Sequence, residues 1–225
     1  MERNSNSLIV MKIEFSNTIS LYDKYYITND RNNTEGFVKD LAQEGRDRIL
    51  QLDYLIKKIV QIENEADLIS QRQKKAFKEH VEFTKKNSLD FETTPAPKEI
   101  NFTHEEFNKY NELTFELELL TEHFYYIAFR LRGIIKHLPG LKSFESQGMR
   151  DVRNKLIEHP DKDKDSQIFI RSFGFGNKEI GPVIKAIRYS DQVNIFPDKG
   201  LYLNAFELKE NIEKALSDYL EKNNG

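Results

Sequence analysis

Apolar residues recur at helical intervals along two long stretches of the chain. Leu52, Leu55, Ile59, Ile62, Ala66 and Ile69 are spaced 3-4-3-4-3, one face of a helix within a helical pattern that begins at Thr34. The pattern thins through the charged run 71–86. One unbroken helix over 35–87 would be about 80 Å long, so a bend or break is expected near 64–72. Thr93-Thr94-Pro95-Ala96-Pro97 marks 88–102 as a connecting loop. Thr103 and Glu106 then form a capping-box pattern, and Leu113, Leu117, Leu120, Phe124, Ile127, Leu131, Ile134 and Leu138 repeat as 4-3-4-3-4-3-4. Leu119, Tyr126 and Ile135 widen that stripe, which favours a bundle core over an intermolecular coiled coil. Pro139-Gly140 ends the helix.

A further helix is expected over 143–159, with Met149, Val152, Leu156 and His159 on one 3-4-3 row and Pro160 directly after it. The period then changes. Residues 167–173 and 183–189 are rich in Ile, Val and aromatics around the Gly-rich turn 174–181, which reads as a β-hairpin. Residues 193–196 and 201–203 suit another short pair. Asn204 with Glu207 starts a last helix carrying Phe206, Leu208, Ile212, Leu216 and Leu220. The first 33 residues are mixed: 8–15 suits a short strand, and the Tyr-rich 21–27 suits either strand or helix. The expected architecture is mainly α: one domain over 1–225, with a helical bundle over 34–160, a small β appendage over 166–203 and a C-terminal helix over 204–222.

Composition narrows the function classes. The chain has 225 residues, enough for a sizeable core, and a net charge of −3. That balance argues against a broad basic surface for duplex DNA, though a local phosphate site remains compatible. With no cysteine, disulfides, thiolate catalysis and Cys-based zinc sites are excluded. No stretch approaches the roughly 20 apolar residues of a membrane span, and the short run 8–11 is interrupted by Lys12 and Glu14. A cytoplasmic protein without a membrane partner is expected.

The candidate chemistry lies in Arg153-Asn154-Lys155-Leu156-Ile157-Glu158-His159. A guanidinium grips phosphate, and an imidazole moves protons near neutral pH. His159 falls on the apolar row, and Arg153 lies six residues earlier, about 120° around the helix and about 9 Å along it. A structural role competes: a histidine suits a helix C-terminus before proline, and Arg153 can pair with Asp151 or Glu158. Arg150 suits either added positive charge nearby or a pair with Asp151 or Glu145. Arg171, Phe173, Phe175 and Lys178 suit a stacking and phosphate-contact patch on single-stranded RNA, though hairpin aromatics more often belong to a core. The glycines of 174–181 lack the Lys-Ser ending of a P-loop. His104, His123 and His137 stand near acidic residues on one helix, but His123 and His137, fourteen residues apart, are too far apart for one metal, and no cofactor or metal site is expected.

The stretch RNKLIEH resembles the Arg-polar-x4-His signature of the HEPN superfamily of α-helical proteins, found in prokaryotic toxin–antitoxin, abortive-infection and CRISPR-associated systems. The resemblance covers the motif and the helical order of roughly 35–160. It implies a metal-independent endoribonuclease, a homodimer with two motifs facing across a cleft, RNA as substrate with DNA inert, and an antitoxin protein as a further partner. His159 would then be the general acid or base, Arg153 would hold the scissile phosphate, and Asn154 would fix the geometry; these are the catalytic residues, with Arg150, Arg171 and Lys178 as RNA contacts. The alternative is a non-catalytic HEPN-like dimerisation module that binds RNA or protein.

Overall fold

The first helix, α1 (Ser16–Arg31), turns Thr18, Tyr22, Tyr25 and Asn29 inward. These four fall on one 4-3-4 row, so the Tyr-rich segment is helix and not strand. The structure is a computed structural model that describes residues 14–32, 36–142, 168–172, 183–188 and 202–223; for the extended segments, Phe206 and Glu207 the description is of the backbone. The strand expected over 8–15 lies largely outside these residues, and Glu14 and Phe15 within them are coil.

Each inward side chain of α1 has a hydrogen-bond partner outside that helix. The Tyr22 hydroxyl donates to the Ala42 carbonyl at 2.8 Å, and the Tyr25 hydroxyl donates to the Pro139 carbonyl at 2.9 Å. Thr18 Oγ1 donates to Glu213 at 2.7 Å, and Asn29 Oδ1 accepts from the Tyr219 hydroxyl at 2.9 Å. Arg46 clasps both oxygens of Asp23 at 2.7 and 3.3 Å. A buried polar group left without a partner costs about 1–3 kcal/mol, so these bonds fix how α1 sits on its neighbours.

A turn at Gly36, whose φ is +80°, leads into α2 (Lys39–Lys86). Lys39 pairs with Asp30 across this junction. The helix is one continuous run of 48 residues, about 72 Å long. The break expected near 64–72 is absent, and the helix starts at Lys39 and not near Thr34. No glycine or proline follows Gly45 before residue 86, and Ala, Glu, Gln, Lys and Arg dominate the thin part. The 3-4-3-4-3 row faces inward as expected: Leu52, Leu55, Ile59, Ile62 and Ala66 are buried and Ile69 packs against the core.

The connecting segment 87–103 is folded along the end of α2. The Arg72 guanidinium donates to the Asn101 carbonyl at 3.3 Å, and Phe91 packs its ring on Phe77 and His80. His80 Nε2 lies 2.9 Å from the Thr94 carbonyl, which can only accept, so that nitrogen carries the proton. This covering is what supports α2 beyond the point where its partner helix begins.

That partner is α3 (His104–His137), opened by a complete capping box: Glu106 N–H donates to Thr103 Oγ1 and Thr103 N–H donates to Glu106. Ion pairs join Arg72 to Glu106, Glu65 to Lys109 and Glu44 to Arg130. One number falls as the other rises, so α2 and α3 form an antiparallel hairpin. The whole 4-3-4-3-4-3-4 row is buried or packed on the core. Ile135 widens it as expected, but Leu119 and Tyr126 do not: both point outward, because the row already fills the face toward α2.

Backbone segments Ile168–Ser172 (β1), Val183–Arg188 (β2) and Tyr202–Asn204 (β3) pair antiparallel in the order β1-β2-β3. Ile170 lies opposite Ala186 and Ile184 opposite Leu203. The turn 174–181 and residues 193–196 lie outside the described residues, and the segment expected to pair with 193–196, residues 201–203, falls largely in β3, which pairs with β2. The final helix, α4 (Ala205–Asn223), buries Leu208, Ile212, Leu216, Tyr219 and Leu220 in the core shared with α1. The described chain is therefore a mainly helical bundle whose described core comes from helices and their connections. None of its described helices is long and apolar enough to cross a membrane.

Candidate functional site

The approach to the RNKLIEH motif is held tightly. α3 ends where Leu138 leaves helical geometry with ψ 138° and its N–H turns back to the Ile135 carbonyl. Leu138 and Leu141 are buried, and Pro139 between them accepts the Tyr25 hydroxyl. Gly140 has φ +71°, and a Cβ there would lie 2.4 Å from the Tyr219 ring. Only glycine combines that conformation with so close a ring. The chain thus passes between α1 and α4 before it reaches Lys142.

Arg150, Arg153, Asn154 and His159 lie outside the described residues, as does the helix expected over 143–159. Lys178 lies outside them too. Arg171 is in β1, where its Cα partner in β2 is Lys185. No distance therefore joins the predicted site residues. The three histidines of α3, His104, His123 and His137, all sit on its exposed side.

The tyrosine junction beside this approach is chemically quiet. Burial pushes the Tyr22 and Tyr25 phenols well above their ordinary value, and each neighbouring phenol, Tyr25 and Tyr219 respectively, adds to it. Both stay neutral hydrogen-bond donors, as their carbonyl partners require. Their rings meet with centroids 5.7 Å apart, and Tyr25 meets Tyr219 edge-on at 4.9 Å.

One titratable group escaped the sequence reading. Glu63 lies between Ile59, Ile62 and Ala66 along the inner row of α2, and burial pushes its carboxyl up to about 7. Its Oε1 has no hydrogen-bond partner among the described residues. The signal was an acidic residue inside an apolar row, one turn from Ile59 and from Ala66. No family model, no curated protein and no solved structure matches the chain.

Proposed function

We propose that the chain is a metal-independent endoribonuclease of HEPN type, acting as a homodimer in the cytoplasm. The observation that carries this reading is RNKLIEH itself, an Arg-Asn pair and a histidine spaced for one helix and stopped by Pro160. Its place in the chain supports the reading: it follows the long hairpin helix α3 and a junction pinned by Tyr25 and Tyr219. The proposal includes an HEPN-like arrangement of the bundle and the β appendage over 166–203, with Arg150, Arg171 and Lys178 contacting RNA.

In this mechanism His159 takes the proton from the ribose 2′-hydroxyl, whose oxygen attacks the adjacent phosphorus. The P–O5′ bond breaks, and the leaving oxygen receives a proton from an imidazolium, that of His159 or of its copy in the second subunit. Arg153 binds the phosphate oxygens on which charge accumulates. Asn154 holds the group by hydrogen bonding. A chain without a 2′-hydroxyl has no nucleophile, so DNA is inert.

The test is degradation of single-stranded RNA by the wild-type chain and by Arg153→Ala/His159→Ala, with sedimentation of both. Cleavage that falls by about 10² or more in the variant, with the dimer kept, supports the enzyme. Undiminished cleavage rules the assignment out. RNA binding without cleavage by either protein favours the non-catalytic module.

A further inference from the structure

We infer that the outer face of α3 docks a cationic amphipathic helix of another polypeptide. Phe115, Leu119 and Tyr126 are 63%, 51% and 38% exposed. With Glu122 they form a 4-3-4 row on the side of α3 opposite the buried row. Successive residues turn by about 100°, so the three apolar side chains emerge within about 40° of one another. The row is a heptad-like seam of the kind that accepts a second helix. Farther along the helix, nothing among the described residues lies within 4 Å of the place a Gly133 Cβ would occupy.

Charge selects the occupant. Between Lys109 and Arg130 the helix carries Glu112, Glu116, Glu118 and Glu122 and no lysine or arginine. By the same turn, Glu112 and Glu116 flank one side of the apolar row, and Glu118 and Glu122 flank the other. None of the four carboxylates makes an ion pair or hydrogen bond among the described residues. Burial, and secondly the nearby Glu118 carboxylate, push the Glu122 carboxyl up, so a cation set opposite it would favour its charged form. RNA and anionic lipid surfaces are repelled by this face. Two copies meeting symmetrically through it would set carboxylates against carboxylates. A helix with an apolar seam, lysines or arginines on both flanks and one cation opposite Glu122 satisfies every feature. The inference does not depend on ribonuclease activity.

The experiment titrates the full chain into two fluorescently labelled synthetic 21-residue helices that share leucines at the heptad seam. One carries lysines at the flanking positions and the other glutamates; anisotropy reports binding. The lysine helix is expected to bind at least about tenfold more tightly. Phe115→Ser/Leu119→Ser is expected to weaken it about tenfold or more, and Glu116→Lys/Glu122→Lys to transfer the preference to the glutamate helix. All four positions are at or near the surface, and circular dichroism checks that the variants fold. Equal affinity for both helices overturns the inference, as does binding indifferent to these substitutions. Sedimentation showing a wild-type dimer that Leu119→Glu dissociates also overturns it, because a second copy would then occupy the face.

Discussion

Removing the Tyr219 hydroxyl leaves Asn29 Oδ1 buried without its donor. Tyr219→Phe is therefore expected to cost about 1–2 kcal/mol in urea unfolding. Gly140→Ala combines a strained φ of +71° with a Cβ 2.4 Å from the Tyr219 ring, and a loss of at least about 1 kcal/mol is expected in the same measurement. Glu63 gives a pH dependence. Its folded-state value of about 7 lies above the ordinary 4.5, so the folded chain holds the extra proton between those values. The stability it contributes is full below about 4.5 and is lost as pH rises through about 7. Glu63→Gln should accordingly match the wild type at pH 4 and exceed it by about 3 kcal/mol at pH 8; a constant difference across that range would contradict the burial of this carboxyl. These residues were hard to read in advance. The inward row of α1 is Thr18, Tyr22, Tyr25, Asn29, whose polar atoms hide a buried face from any count of apolar positions, and their partners lie far along the chain.

The inner rows of α2 and α3 were legible because each is a long apolar repeat, and Thr103 with Glu106 caps α3 as its sequence indicates. The continuity of α2 was not legible. A thinning apolar row suggests a break only if helix stability must come from packing on another helix. Here strong helix formers, and the segment 87–103 folded back over Arg72, Phe77 and His80, sustain it. Amide hydrogen exchange should find 64–72 protected without interruption, with protection declining toward residue 86. Fast-exchanging amides confined to 64–72 would restore the break. Leu119 and Tyr126 were misplaced for a related reason: periodicity gives the width of an apolar stripe, and the neighbours that fill it decide which edge is left outside.

For the whole molecule, the sequence carries the residue types and spacing of the site, and tertiary packing decides what that row faces. RNKLIEH sets a guanidinium and an imidazole six residues apart; in the proposed ribonuclease, cleavage would depend on whether they converge with a second copy, which their spacing does not encode. The resulting expectation is a dimer whose two motifs act together, so mixing inactive Arg153→Ala with inactive His159→Ala subunits should regain part of the cleavage if each cleft draws residues from both chains. The most direct test of the central claim is mass spectrometry of RNA ends after incubation with the wild-type chain and with His159→Ala. The expected result is 2′,3′-cyclic phosphate ends from the wild type, reduced by about 10² or more in the variant. Intact RNA, 3′-hydroxyl ends, or cyclic ends made equally well without His159 would contradict it.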